Sequence, residues 1–156
     1  MHKKTIIFIC HGNICRSTMA EFLFCKMLSD HGMSEEYNVI SRATSTEELG
    51  NPVHPGTRRV LARFGIDCSL KKSTRITPEE CDRADYLIIM DENNRRNLRP
   101  FLRGGNEKKV RLLLSFAGEE RGISDPWYTG DFEETYNDVQ KGLDGLLLTL
   151  QKKKKA

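Results

Sequence analysis

Cys10 and Arg16 enclose five residues in the run Cys10-His11-Gly12-Asn13-Ile14-Cys15-Arg16-Ser17. A segment of that length can curl into a cradle whose backbone N–H groups point inward, and such a nest fits a tetrahedral oxyanion. Gly12 is expected to supply a backbone turn that most side chains forbid. Arg16 can grip two anion oxygens with its planar fork, and a helix opened by Ser17 would add the partial positive charge of its N-terminus. These charges together favour the thiolate of Cys10, the form of cysteine that attacks phosphorus. The spacing alone carries little weight, because five cysteines and thirteen arginines in 156 residues give about 0.4 chance occurrences of it. The weight comes from the setting: an apolar run before, Gly and Asn within, and Ser17 as a cap with a helical pattern after.

Displacement at phosphorus also needs an acid to protonate the departing oxygen. Asp125 is the candidate, in the loop Ser124-Asp125-Pro126-Trp127-Tyr128. Pro126 stiffens that loop, and Trp127 and Tyr128 could flank a planar substrate group. Asp91 has a comparable place at the end of a later apolar run, where it could instead organise loops.

These residues need elements to bring them together. Residues 5–10 form a continuous, β-branched apolar run, the pattern of a strand buried on both faces of a parallel sheet. After the polar loop, apolar residues from Met19 to Met27 recur at helical spacing, giving a helix that ends near Gly32. Tyr37–Ser41 reads as a second strand and Pro55–Phe64 as a helix. Thr77-Pro78-Glu79-Glu80 is a helix start with a capping box. Tyr86–Met90 is a third strand, Glu92–Phe101 a helix, Val110–Leu114 a fourth strand, and Phe132–Gln151 a final amphipathic helix. The alternation predicts an α/β fold: a doubly wound, four-stranded parallel sheet with helices on both faces and a phosphate-binding loop after strand 1.

The whole chain, residues 1–156, suits one domain, with Lys152–Ala156 as a frayed basic tail. Charges of both signs are interspersed and the net charge is +3, which does not suggest a nucleic-acid surface. The run Thr5–Ile9 is too short for a secretory leader, and no other run is long enough to span a bilayer. Five cysteines at irregular spacing, with no C-x-x-C, fit reduced thiols in a cytoplasmic protein better than a disulfide framework or a zinc site. The histidines at 2, 31 and 54 show no metal-ligand spacing, so surface positions are expected for them rather than a metal site.

At Cys10–Ser17 followed by Ala20-Glu21, and again at Asp125-Pro126-Trp127-Tyr128, the sequence resembles the low-molecular-weight protein tyrosine phosphatases. Ser41 with Ala43-Thr44-Ser45, Gly50-Asn51-Pro52, and Met90-Asp91 with Asn94 extend the resemblance over nearly the whole chain. It implies hydrolysis of aryl phosphate monoesters on a phosphotyrosine protein or a small substrate, without a cofactor, by a monomer or weak dimer. By the same resemblance Cys10 is the nucleophile that becomes a phosphocysteine, Arg16 the phosphate clamp, and Asp125 the general acid and then base. His11, Gly12, Asn13, Ile14, Cys15 and Ser17 would form and brace the cradle, with Cys15 also a candidate redox partner of Cys10. Ile14 goes with phosphotyrosine activity, where Thr goes with the phosphoarginine branch.

The chain also departs from the pattern. Thr18 stands where the family usually has Pro, and His11 replaces an apolar or small residue. Glu47 falls at the aromatic that walls the cleft in animal members, leaving Trp127 and Tyr128 to supply the aromatic surface. A histidine that supports the cradle in many members is replaced within Leu70-Lys71-Lys72.

Two other readings share the scaffold. A thiol-dependent arsenate reductase would relay electrons through two more cysteines a turn or two apart, and Cys81 has no following partner. A phosphocysteine carrier needs no leaving-group acid, and a phosphate-binding module needs no nucleophile, whereas this chain has both Asp125 and Cys10.

Overall fold

The computed structural model describes residues 3–155, with side chains through Lys154; His2, and Ala156 at the end of the basic tail, lie outside them. Strand β1 (Lys4–Cys10) is buried over its last five residues, as a central strand covered on both faces must be. It leads through the loop into α1 (Arg16–Asp30) and then β2 (Tyr37–Ala43). There follow α2 (Pro55–Ala62), α3 (Pro78–Arg83), β3 (Tyr86–Ile89), α4 (Glu92–Leu98), β4 (Val110–Leu112), α5 (Pro126–Thr129) and α6 (Phe132–Lys155).

The four strands lie in the order β2-β1-β3-β4, and every pair is parallel. The chain therefore leaves β1 toward one neighbour and later returns on the other side, which makes the carboxyl end of β1 the switch point of the sheet. Ile6 and Phe8 face a core shared with α1, α2 and α6, while Ile7 and Ile9 face a second core with α3, α4 and β4. This is the doubly wound architecture expected from the alternation.

Some boundaries moved for local reasons. Leu113–Ala117, partly expected as strand, coils into a 3₁₀ segment against α6. At Gly145 a Cβ would fall on the Phe116 carbonyl, so the missing side chain lets the two backbones approach. The helix beginning at Glu92 passes into a 3₁₀ turn at Arg99–Phe101, where Pro100 interrupts the α-helical bonding. The basic tail continues α6 rather than breaking from it. Lys153 donates to the Tyr86 hydroxyl and Lys154 pairs with Glu36, which ties the tail to β3 and to the 3₁₀ turn before β2. At Thr77 the capping box forms with Glu80, as its sequence foretold.

Candidate active site

Cys10 is the last residue of β1, and Arg16 the first of α1. Between them the loop carbonyls are bound from outside. Those of Cys10 and His11 accept from the Thr44 and Ser45 N–H groups, and that of Gly12 accepts from the Ser73 hydroxyl. Those of Ile14 and Cys15 accept from the His54 N–H and the Thr57 hydroxyl. With the carbonyls committed outward, the amides are left to line the interior. The Asn13 N–H lies 3.3 Å from Cys10 Sγ.

Two expectations about this loop need correction. The left-handed residue is Asn13 (φ 58°) rather than Gly12. Gly12 serves close approach, since a Cβ there would lie 3.2 Å from Glu48 Cγ. Nor does Ser17 cap the helix: α1 begins one residue earlier, with Cys15 at the cap position and no side-chain cap bond. The Ser17 hydroxyl is turned to Cys10 instead, at 2.9 Å from Sγ.

Asn13 tolerates its backbone because its side chain is bonded on every side. The Thr74 N–H donates to its Oδ1 (3.1 Å), which fixes the amide so that Nδ2 donates to Ser17 Oγ (2.8 Å) and Ser41 Oγ (2.9 Å). Ser17 Oγ, accepting from Asn13, has its own proton free for the sulfur. The Ser41 hydroxyl donates to Glu21, and Lys71 closes the network by donating to the Ser41 carbonyl (2.9 Å) and pairing with Glu21 (3.4 Å). Burial lowers the pKa of Lys71, and Glu21 works against that shift.

Arg16 is almost fully buried. Its Nη1 donates to Asp91 Oδ2 (2.6 Å) and the Ile123 carbonyl (2.9 Å), while Nη2 lies 3.3 Å from Asp125 Oδ2. Burial works against its charge, but Cys10, Asp91 and Asp125 more than offset it, so the pKa lies above the ordinary arginine value. Arg16 Nε is buried with no hydrogen-bond partner among the described residues, a donor still able to serve an anion.

Asp91 and Asp125 are both helix caps. Asp91 accepts from the Asn94 N–H at the start of α4, and Asp125 from the Trp127 N–H at the start of α5. Asp91 is thus the loop organiser, holding Arg16 through its other oxygen. The cleft over Cys10 is lined by the loop, Glu47, Glu48, Asp125, Trp127 and Tyr128. Tyr128 is largely exposed and Trp127 half so, the two forming an aromatic rim.

A family model described as low molecular weight phosphotyrosine protein phosphatase matches residues 5–156. The chain belongs to this family. It is 33% identical over 152 residues to the low molecular weight protein-tyrosine-phosphatase YfkJ of Bacillus subtilis, covering 96% of this chain and 97% of that protein. The human low molecular weight phosphotyrosine protein phosphatase is 38% identical over 141 residues, covering 85% of this chain and 87% of its own length. The crystal structure of YfkJ superposes with a TM-score of 0.93 at 32% identity, over 99% of this chain and 98% of that one. That of SP-PTP, the low molecular weight protein tyrosine phosphatase from Streptococcus pyogenes, gives 0.83 at 41% identity over 94% and 93%.

Within this phosphatase scaffold every residue expected at the site from sequence is at the cleft or braces its floor. Glu47, which lines the cleft, lies 2.8 Å from His11 Nε2, so His11 is tied to the rim. Sequence reasoning missed Glu48 as a wall residue, Ser73 and Thr74 as supports, and the Lys71–Glu21 pair. The signal for Lys71 was the unfilled place of a supporting histidine. Cys68 and Cys81 lie in separate cores on opposite faces of the sheet, so they form no relay toward Cys10. Among the described residues no group of three or more His, Cys, Asp or Glu side chains is arranged to hold a metal ion. No described helix is long and apolar enough to cross a membrane.

Proposed function

We propose that the protein hydrolyses phosphotyrosine or similar aryl phosphate esters through a phosphocysteine on Cys10. The observation that carries this reading is the buried Arg16 guanidinium fixed between Asp91 and Asp125, with Ser17 Oγ 2.9 Å from the Cys10 sulfur. One loop supplies nucleophile and phosphate clamp, and a second supplies the acid.

In the first step the Cys10 thiolate bonds to phosphorus as the bond to the aryl oxygen breaks, and protonated Asp125 gives its proton to that oxygen. Arg16 and the loop amides hold the three remaining oxygens. In the second step the Asp125 carboxylate takes a proton from water, the water oxygen bonds to phosphorus, and the sulfur–phosphorus bond breaks. Inorganic phosphate leaves, and Ser17 donates to the returning thiolate. Trp127 and Tyr128 flank the aryl ring, and Ile14 in the cradle favours a flat aryl ester. Cys15 takes the role of resolving thiol, capturing an oxidised Cys10 as a disulfide with loss of water. A cytoplasmic location, which keeps these thiols reduced, belongs to the same proposal.

The test is turnover of p-nitrophenyl phosphate and phenyl phosphate in the presence of a chelator. Cys10→Ser should abolish both. Asp125→Asn should lose about 10²–10⁴-fold on phenyl phosphate, whose leaving group needs the proton, and much less on the nitrophenyl ester. Equal losses on the two esters would remove Asp125 from its role, and an active Cys10→Ser protein would end the phosphocysteine reading.

A further inference from the structure

Beside the cradle a second, larger hollow opens along α4. The cleft over Cys10 encloses about 100 Å³ and the adjoining groove about 500 Å³. His11, Arg16, Asp125 and Tyr128 line both, so the two are continuous. The small cleft has room for a phosphoryl group and the ring behind it, and the groove has room for side chains next to the phosphorylated residue.

The outer wall of the groove comes from Asn93, Arg96 and Asn97. They stand three and four residues apart on α4 and therefore share one helix face. Arg95 is paired with Glu92 at 2.8 Å, whereas Arg96 is exposed and has no carboxylate partner among the described residues. Its guanidinium touches the Asn93 side-chain oxygen, and both residues line the groove. Asp91 and Asp125 also line the groove, but both accept from Arg16, which offsets one of their two charges. Glu47 and Glu48 line the inner cleft and not the groove. The site is therefore polarised, with carboxylates on the Glu47–Glu48 wall and a free cation with two amides on the α4 wall.

We propose that the α4 groove is a subsite for an acidic side chain flanking the phosphorylated residue of a peptide substrate. Arg96 pairs with its carboxylate, Asn93 and Asn97 offer amide donors, and the Glu47–Glu48 wall repels the same side chain if the peptide lies the other way round. This rests on the phosphatase reading above, because the groove is placed by its opening onto the Cys10 cleft.

The experiment compares phosphotyrosine peptides that differ only by Glu or Gln at one position, scanned over both sides of the phosphotyrosine. Affinity is read by fluorescence polarisation on the Cys10→Ser protein, and kcat/KM on the wild type. Glu should be favored over Gln by about two- to fivefold at positions on one side only, the size expected of an exposed ion pair, and the preference should shrink at high salt. Arg96→Gln should bring the ratio to about one, and Arg96→Glu should invert it. A ratio unchanged in Arg96→Gln, an equal loss on both peptides, or no preference for Glu at any position in the parent protein overturns the proposal. Failure of the wild type to hydrolyse any aryl phosphate would instead sink the phosphatase reading, and the binding ratio would still decide the groove.

Discussion

Acidification should detach a helix cap at the rim of the cleft, and one tryptophan should report it. His54 is the N-cap of α2, its Nδ1 accepting from the Gly56 N–H at 3.0 Å. Its ring stacks on Phe132 (4.9 Å between centroids) and stands edge-on to Trp127 (5.8 Å). Nδ1 can accept only while it carries no proton. Burial lowers the pKa of His54 below 6.5, Arg59 adds to the shift, and Glu48 and Asp125 oppose it. The folded protein thus resists a proton that the unfolded chain takes up near pH 6.5. The stabilisation from neutral His54 is complete above that pH and is lost as pH falls through the lower, folded value. A side-chain cap contributes about 1 kcal/mol and a stacked aromatic pair about 0.5–1.5 kcal/mol. At about 2–4 °C per kcal/mol for a chain of this size, His54→Ala should lower Tm by about 3–10 °C at pH 7.5. The gap between the two proteins should narrow toward pH 5. Trp127 is the only tryptophan, so its emission should be quenched as the neighbouring imidazolium forms, with a midpoint below 6.5. A midpoint at or above 6.5, or the same titration in His54→Gln, would refute the assignment.

At Asn13, replacement by Ala keeps the left-handed backbone but removes its support, costing about 1–2 kcal/mol for the backbone alone. Asn13→Gly should recover most of the Tm and little of the activity, since kcat depends on the lost bonds to Ser17 and Ser41; equal recovery of both would contradict this. Lys71→Met leaves Glu21 unpaired beneath the cradle and should destabilise by about 3–5 kcal/mol, an upper range for a pair that is not wholly buried. The double variant Lys71→Met/Glu21→Gln should be more stable than the single in urea unfolding. Gly145→Ala drives a methyl group into the Phe116 carbonyl and should cost about 1–3 kcal/mol with little effect on KM. If peroxide inactivates the enzyme, thiol addition should restore the wild type, and Cys15→Ala should recover far less, with the Cys10–Cys15 disulfide visible by mass in the former only.

The sheet and its helices were legible because each strand is a short apolar run bounded by polar loops, and because the order of elements admits one common architecture. What blurred were the carboxyl ends. Leu113 and Leu114 are as apolar as a strand requires, but they are buried against α6 rather than paired, and only the glycines at 142 and 145 of α6 hinted at so close a contact. Apolar patterning reports burial, and burial is the same whether the backbone hydrogen-bonds to a sheet or coils beside a helix.

The site was legible in its reacting residues and much less so in its supports, and the reason is physical. Cys10, Arg16 and Asp125 are identified by chemistry that few other residue types can perform. Holding them in place is a geometric task that many side chains can share. Asn13 needs a donor for Oδ1 and acceptors for Nδ2, and here a backbone N–H from Thr74 and the hydroxyls of Ser17 and Ser41 provide them. Ser41 in turn needs an acceptor, which Glu21 is, and Glu21 needs a compensating charge, which Lys71 supplies where the resemblance leads one to look for a histidine. A lysine ammonium and an imidazolium look unlike one another in a sequence, yet either gives a buried carboxylate the positive partner it requires. The same logic explains the misassigned Ser17: a serine at a loop-to-helix junction reads as a cap, but α1 already begins against an anion cradle whose ligand can serve its first N–H groups. That leaves the hydroxyl free to face the sulfur, and a substitution such as Ser17→Ala should therefore be felt in the release of the thiolate more than in the stability of the helix.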